Sequence, residues 1–252
     1  IGGAPPDWDY ISSQNYDLIL FWQVHWYPEV IDNLLCKNVV SIPMFDSANG
    51  YPDESFSQRP QYISFCKALH ERLVALGCNS CYVKYFPNPS TFNLKNINQH
   101  AKLAGFFWER SPEIDWHTIQ QLLTSEQFSQ FHLHKAVDPN HNFSIQQVPL
   151  CGDITFTTSD WLDDKFAYLR LLDNCDVFFA PRIAEGIGLS FLEAMAMGKC
   201  VVAHDLPTMN EYIVHNENGL LFDCNRPGQY DFSLAREMGK KARLSVEIGY
   251  KA

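Results

Sequence analysis

The stretch "AEGIGLSFLEAMAMG", residues 184–198, places two glycines before a nearly apolar run that retains two carboxylates, Glu185 and Glu193. It follows "DVFFAP", which has the length and apolar composition of a buried β-strand. A strand, a Gly-x-Gly loop and a helix start bring unpaired backbone N–H groups to the carboxyl end of the strand. The stretch therefore predicts an α/β fold with an anion-binding loop at this point.

Three interpretations of Glu193 are open from these residues alone. Ser190 and Glu193 have the Ser-x-x-Glu spacing of a capping box, in which the carboxylate reaches back to the Ser190 N–H. The same spacing places both on one helix face, which solvent could cover. Alternatively, the two carboxylate oxygens bind the vicinal hydroxyls of a ribose or hexose. A dinucleotide fingerprint is not met, because it needs a third glycine where Phe191 stands.

Outside this stretch, apolar segments of strand length alternate with helix-length segments, which predicts parallel sheets. We expect two Rossmann-like, doubly wound parallel-sheet units, of which the N-terminal one is short or truncated. Within them, Asp115 is a predicted helix N-cap and Gly77 a predicted helix end. The predicted boundaries are 1–88 for the first unit, 89–100 for a polar linker, 101–235 for the second unit and 236–252 for a terminal helix.

The charge balance argues against a nucleic-acid partner, because the net charge is −10 and lysines and arginines form no cluster. No apolar run reaches the length of a transmembrane helix, and no signal-peptide pattern is present, so the expected location is the cytoplasm. The first residue is Ile1 rather than methionine, so we expect a processed chain or a fragment.

The eight cysteines are scattered through apolar segments, so we expect reduced core thiols rather than a disulfide framework. Cys78 and Cys81 form a single CxxC pair without the second pair that a zinc site needs. The "DWD" of Asp7 and Asp9 has metal-binding spacing but lies in a proline-rich opening rather than after a strand. No metal site is therefore predicted.

Residues 180–223, "APRIAEGIGLSFLEAMAMGKCVVAHDLPTMNEYIVHNENGLLFD", closely resemble the donor-binding segment of retaining B-type glycosyltransferases of the group 1, or family 4, class. The pattern of that family has paired glutamates with seven residues between them, as Glu185 and Glu193 have. It continues with Glu-Ala-Met-Ala-x-Gly, a Val-Val-Ala strand and Glu-Asn-Gly-Leu-Leu, all of which this segment contains. The rest of the chain is compatible with the family but less specific.

The resemblance implies a role for each matching residue. Glu193 would hold the ribose hydroxyls of the donor nucleotide, and Glu185 would contact hydroxyls of the transferred sugar near the reacting carbon. Backbone groups of the loop would cradle the diphosphate. The donor-binding set is then Glu185, Gly186, Ile187, Gly188, Leu189, Glu193 and Arg110.

The family also has a Gly-Arg pair and a following Glu-Lys pair on the first loop of this unit, and both cations contact phosphates. Here the corresponding residues read "AGFFWERSPEI", in which we expect Gly105 to be retained and Phe106 to replace the arginine. Glu109-Arg110 then resembles the Glu-Lys pair. Arg110 and Glu185 are accordingly the expected catalytic residues.

Three further residues follow predicted strands and are candidates for the cleft. Arg182 departs from the usual Pro-Ser and could compensate for a lost cation, although a surface arginine is the plainer reading. His25 and Asp46 could contact donor or acceptor. A histidine near aromatic residues, as His25 is, is nevertheless typical of a structural histidine.

The implied function is retaining transfer of a sugar from a nucleotide-diphosphate sugar to a glycan or lipid-linked acceptor, without a metal or other cofactor. The inner face of the membrane is then an alternative location, with peripheral membrane association. Two other functions stay open. The chain could be a non-catalytic nucleotide-sugar-binding module or fragment that lacks a complete acceptor domain, or an epimerase that acts on a nucleotide-sugar.

Overall fold

The computed structural model describes residues 6–92, 101–137 and 154–252. The chain divides into two compact units. The first runs to Tyr85 and includes the short segment Ala184–Ile187, and the second comprises Phe86–Ile183 and Gly188–Ala252. The predicted linker opens with a 3-10 turn at Pro89–Thr91, and its residues 93–100 lie outside the described residues.

The N-terminal unit contains a four-stranded parallel sheet whose strands are paired in chain order, as the alternating pattern predicts. The strands are β1 (Ile19–Trp22), β2 (Val39–Ile42), β3 (Gln61–Ser64) and β4 (Asn79–Tyr82), and the helices are α1 (Trp8–Ser13), α2 (Pro28–Ile31), α3 (Phe45–Ala48) and α4 (Lys67–Ala75).

The core of this unit forms between α4 and the sheet. Leu69 and Leu73 of α4 pack in one buried cluster with Tyr62 of β3, whose hydroxyl donates to the Ser57 carbonyl at 2.9 Å. The predicted end of α4 is confirmed, because Gly77 takes a left-handed φ of 79° just beyond it.

Helix α2 is a single turn that ends at Ile31, although Pro28 at its start and the apolar residues through Cys36 favour a longer helix. The Arg59 guanidinium donates hydrogen bonds to the carbonyls of Ile31, Leu34 and Cys36. These carbonyls would otherwise accept from the following turn of a helix or from solvent. The chain therefore leaves the helix after Ile31 and is held by Arg59 instead.

The C-terminal unit contains a six-stranded, wholly parallel sheet in the order β10-β9-β8-β5-β6-β7. The strands are β5 (Leu103–Trp108), β6 (Phe128–His134), β7 (Thr155–Ser159), β8 (Val177–Phe179), β9 (Cys200–His204) and β10 (Gly219–Phe222), and the helices are α5 (Trp116–Leu122), α6 (Lys165–Asp173), α7 (Leu189–Ala196) and α8 (Ala235–Lys251).

The strand order reverses direction between β5 and β8, which is the Rossmann arrangement. Ligands of such sheets bind beside the carboxyl ends of the strands at this reversal. The predicted fold class, parallel α/β in two units, is confirmed. The loops after β5 and β8 are therefore the expected location of a ligand-binding site.

Local signals in the second unit also hold. Asp115 caps α5, because its Oδ1 accepts from the Thr118 N–H at 2.8 Å. Strands β8 and β9 are buried along their whole length, as near-continuous apolar runs in a parallel sheet should be. Arg236 of α8 donates to Asp176 at 3.0 Å, which fixes the terminal helix beside the start of β8.

The described cysteines are all free, and five of them are buried. Cys151 lies outside the described residues. Cys78 is buried and Cys81 is exposed, so the two thiols of the CxxC pair have different environments. Within the described ranges, no helix combines the length and apolar character that crossing a membrane requires.

Two histidines of β6 share one hydroxyl of β7. The Ser159 Oγ lies 2.9 Å from His132 Nε2 and 2.8 Å from His134 Nδ1. Burial, aided by the neighbouring His132, lowers the pKa of His134 to about 4. The folded protein therefore keeps His134 neutral where an unfolded chain would protonate it.

This difference predicts an acid sensitivity. Between pH 6.5 and about 4 the unfolded state binds more protons at this position, so folding stability falls as the pH drops. His134→Gln should remove on the order of 2 kcal/mol of the loss between neutral pH and pH 4.5, measured by urea unfolding. His117→Gln, an exposed control on α5, should leave the loss unchanged. Equal pH dependence in wild type and His134→Gln would contradict this account.

Candidate functional site

The loop between β8 and α7 depends on the two glycines of the opening stretch. Gly188 is the N-cap of α7 and has left-handed angles, φ 79° and ψ 41°. A Cβ at Gly188 would lie 1.9 Å from Phe191 Cε1, and a Cβ at Gly186 would lie 2.8 Å from Met44 Sδ. Both positions therefore have no room for a side chain, and the backbone of the loop is not covered by one.

The first turn of α7 lacks a side-chain cap. Gly188 offers no side chain, and its carbonyl accepts the first helical hydrogen bond from Leu192 N at 3.1 Å. Helix N-termini without caps present N–H groups and a partial positive charge. The loop after β8 therefore has the backbone arrangement that binds phosphate.

Glu193 is buried, with only 8% of its surface exposed, and its Oε1 lies 2.5 Å from Lys165 Nζ. The solvated-face interpretation of Glu193 is therefore wrong. The capping-box interpretation is also wrong, because the N-cap of α7 is Gly188 and Ser190 lies inside the first turn of the helix. The Ser190 Oγ itself is buried and has no hydrogen-bond partner in the described part of the chain.

The loop after β5 carries Arg110. Its guanidinium stacks on the Trp108 ring, with Cζ 4.6 Å from the ring centroid. Glu109 N donates to the His134 carbonyl at 2.9 Å, and Ser111 Oγ donates to the Pro181 carbonyl at 2.9 Å. The Ser111 bond joins the loop after β5 to the start of the loop after β8, on either side of the strand reversal.

The expected match of Gly105 and Phe106 to the Gly-Arg loop is wrong. Both residues lie inside β5. A Cβ at Gly105 would lie 2.4 Å from the Phe131 ring, and Phe106 is fully buried. The first cation after the strand is Arg110, and the residue before it is Glu109 rather than glycine. Burial raises the pKa of Glu109.

Tyr168 of α6 lies within the electrostatic influence of both Glu193 and Arg110. Its hydroxyl is buried and has no hydrogen-bond partner among the described residues. Burial raises the pKa of Tyr168 far above its usual value, the Glu193 carboxylate raises it further, and the Arg110 guanidinium opposes the rise. Its ring lies against Trp108, with centroids 5.6 Å apart. Glu193 and Arg110 thus act on the same phenol.

The other predicted site residues lie in three settings. Glu185 is buried and belongs to the segment grouped with the N-terminal unit, whereas Arg182 is half-buried in the C-terminal unit. Ile187 is half-buried, and Leu189 is exposed at the start of α7. Asp46 is exposed in the first turn of α3, where its Oδ1 accepts from Ser47 N at 3.0 Å.

His25 lies in an aromatic cluster of the N-terminal unit. Its ring centroid is 4.4 Å from that of Phe56 and 4.9 Å from that of Tyr51. Its Nε2 is 3.0 Å from the Ser55 carbonyl, and burial lowers the pKa of the imidazole. These contacts are those of a histidine that supports the packing of its own unit.

Sequence reasoning missed Lys165, Tyr168 and Ser111. Lys165 and Tyr168 lie on a helix that the sequence indicates, but only the packing of α6 brings them to Glu193. A usable signal for Lys165 was its position at the start of α6, directly after the N-cap Asp164. A cation there opposes the helix dipole, so another charge should compensate it.

The match to known proteins lies in the C-terminal region. Residues 143–237 match the family model of glycosyl transferases group 1. A 75-residue segment is 36% identical to N,N'-diacetylbacillosaminyl-diphospho-undecaprenol alpha-1,3-N-acetylgalactosaminyltransferase of Campylobacter jejuni, covering 29% of this chain and 20% of the relative. A 163-residue segment is 25% identical to D-inositol 3-phosphate glycosyltransferase of Paenarthrobacter aurescens, covering 61% and 37%. The matches thus span well under half of either relative.

Solved structures resemble nearly the whole chain. Sucrose-phosphate synthase from Thermosynechococcus elongatus has a TM-score of 0.68 at 14% identity, with 95% of this chain and 71% of that chain covered. The Anabaena protein HepE in complex with UDP and glucose has a TM-score of 0.61 at 14% identity, with 93% and 74% covered. The resemblance to group 1 glycosyltransferases is therefore confirmed on the C-terminal region, and the fold is that of B-type glycosyltransferases.

The glycine loop predicts a stability effect with an internal control. Gly188→Ala places a Cβ in left-handed backbone and against Phe191, so it should lower the free energy of unfolding by about 2–4 kcal/mol in urea denaturation. Gly228→Ala has open space around its Cβ and should change stability by less than ~1 kcal/mol. A Gly188→Ala variant as stable as Gly228→Ala would refute the packing described for this loop.

Proposed function

We propose that this chain binds a nucleotide-diphosphate sugar and transfers its sugar, with retention of configuration, to a saccharide or lipid-linked acceptor. The observation that carries the proposal is the buried Glu193 carboxylate, on a helix whose uncapped N-terminus follows the carboxyl end of β8. A buried carboxylate and a bare helix start on one element suit a ligand that has both hydroxyls and phosphates.

The diphosphate of the donor would lie at the start of α7. Its oxygens would accept from backbone N–H groups of the loop and first turn, at Gly186, Ile187, Gly188 and Leu189. Arg110 adds the positive charge that these groups lack. Because its guanidinium lies over the Trp108 ring, its N–H groups are oriented before the ligand arrives.

The ribose hydroxyls would donate hydrogen bonds to the Glu193 carboxylate. Lys165 compensates the charge of this buried carboxylate at 2.5 Å. The Lys165 side chain is 64% exposed, so it can move aside or contact the ligand with little loss of packing. Glu193 is then a prepared acceptor for two vicinal hydroxyls rather than a structural carboxylate.

The chemistry assigned to the chain is positional and electrostatic. Glu185 would orient the hydroxyls of the sugar beside the anomeric carbon. Arg110 and the α7 N-terminus would stabilise the negative charge that develops on the departing diphosphate. That phosphate, on the same face of the sugar, takes the proton of the acceptor hydroxyl, which gives retention without an enzyme nucleophile. This scheme requires no metal ion or other cofactor.

The acceptor class is inferred from the named relative. The Campylobacter jejuni enzyme carries undecaprenol diphosphate in the name of its acceptor. We extend this to a saccharide or lipid-linked acceptor here, with the protein in the cytoplasm or at the inner face of the membrane. Arg182, His25 and Asp46 are secondary candidates for contacts with donor or acceptor.

A non-catalytic binding module is the second candidate function. The aligned segments span only 20% and 37% of the two curated relatives, so most of each relative has no counterpart in the alignments. Such a module would bind nucleoside diphosphates through Glu193 and Arg110 but would not turn over a donor.

Calorimetric titration with a panel of nucleoside diphosphates tests the donor site. Glu193→Gln keeps the shape but loses the charge that strengthens a hydrogen bond to hydroxyls, so affinity should fall about 10-fold or more. Glu237→Gln, which changes an exposed carboxylate on α8 paired with the neighbouring Lys240, should bind as wild type does. Unchanged affinity in Glu193→Gln would remove Glu193 from the site.

Product analysis with a panel of nucleotide-sugars separates the functions. The proposal expects transfer or slow donor hydrolysis, with kcat lowered about 10²–10³-fold in Arg110→Gln and unchanged in Arg170→Gln, an exposed control on α6. Binding without turnover would favour the module, and an altered sugar released without any acceptor would indicate an epimerase. The configuration of the product bond tests retention directly.

A further inference from the structure

A second cluster of chemically capable side chains lies at the ends of β9 and β10. His204 is the last residue of β9, and Asp223 and Cys224 directly follow β10. The two strands are parallel neighbours, and Phe222 pairs with His204 in the register. The sheet therefore brings His204 beside two side chains that follow it by about twenty positions in the sequence.

The orientation of His204 suits a metal ligand. Its Nδ1 lies 3.0 Å from the Phe222 carbonyl and 3.3 Å from the Cys224 N. In the tautomer whose Nδ1–H donates to the Phe222 oxygen, the shorter of the two contacts, the Nε2 lone pair is available. The Nε2 points to Cys224 Sγ, at 3.8 Å. A backbone carbonyl that holds one imidazole nitrogen while the other faces a ligand group is the usual support of a metal-binding histidine.

We propose that His204, Asp223 and Cys224 form a binding site for a divalent transition metal of the zinc class. One ligand atom from each residue lies within 4.8 Å of the other two. Tetrahedral zinc with bonds of about 2.0 Å to nitrogen and 2.3 Å to sulfur separates those atoms by about 3.5 Å. The observed 3.8 Å reaches that value with a small rotation of the Cys224 side chain.

The ligand set selects the metal. Thiolate and imidazole prefer zinc and its neighbours to magnesium or calcium, which take oxygen ligands. Asp223 Oδ1 already accepts from Asn225 N at 2.9 Å, which leaves Oδ2 to complete the set. Three protein ligands leave a fourth tetrahedral position for water.

Access and proton balance are both satisfied. His204 is buried, Cys224 is half-buried and Asp223 is exposed, so an ion enters from solvent at the Asp223 side. On binding, the Cys224 thiol releases its proton to solvent, while the imidazole and the carboxylate bind without a change of oxidation state. The ion would link the ends of β9 and β10 and stabilise the fold.

This site shares no residue with the proposed donor site. It uses the edge pair β9 and β10, whereas the donor site uses the loops after β5 and β8. Its role is structural, so loss of the metal should leave donor affinity unchanged, and the proposal stands or falls without the transfer reaction.

Cobalt(II) absorption of the whole chain, kept reduced without added thiol, tests the site. Cobalt replaces zinc in such sites, and its bond to a thiolate gives a near-ultraviolet charge-transfer band together with visible bands of tetrahedral geometry. Wild type and Cys81→Ser, which lacks an exposed thiol elsewhere, should both develop these bands at one equivalent. Cys224→Ser should lose the charge-transfer band, and zinc should abolish it in wild type.

Thermal unfolding gives the second readout. Zinc should raise the melting temperature of wild type and Cys81→Ser, and the increase should vanish in Cys224→Ser and in His204→Gln. Cys224 is only half-buried, so Cys224→Ser should fold and can test the site even if His204→Gln does not fold. A charge-transfer band that persists in Cys224→Ser, or its absence from wild type, would overturn the proposal.

Discussion

The left-handed turn at Gly188 is the constraint on which the C-terminal unit depends. The chain must reverse between β8 and α7 in a space already filled by Phe191, and a residue without Cβ meets both conditions. The helix that follows enters the interior with seven of its eight residues buried. It carries Glu193 with it, so the same turn that closes the core also brings a carboxylate into surroundings where it needs a partner.

That burial explains the charges around the loop. A carboxylate in an apolar setting is stable only if a cation or strong donors accompany it, and Lys165 fills this need from α6. Arg110 is similarly fixed, by stacking on Trp108. Glu193 and Arg110, which carry opposite charges, are therefore each held in place by a neighbouring side chain. Orientation in advance of binding is what an electrostatic site requires.

Local features of this chain could be predicted from its sequence, whereas features made by distant partners could not. The strand–glycine–helix pattern at 177–196, the Asp115 cap and the Gly77 helix end depend on neighbours within a few residues. The short α2 depends on Arg59, more than twenty residues beyond it. The match of Gly105 and Phe106 to a phosphate-binding loop was wrong because both residues belong to β5, where Phe106 is fully buried. Lys165 and Glu193 are likewise 28 residues apart.

The central claim is that Glu193 binds the ribose hydroxyls of a donor, and a cycle in which both protein and ligand are changed tests it most directly. Dissociation constants would be measured for wild type and Glu193→Gln, each with the best-binding nucleoside diphosphate and its 2′-deoxy analogue. The account predicts that removal of the hydroxyl weakens binding to wild type about 10-fold and has little effect in Glu193→Gln, so the two losses are not additive. Equal losses in both proteins would mean that the carboxylate and the hydroxyl do not interact, and would contradict the account.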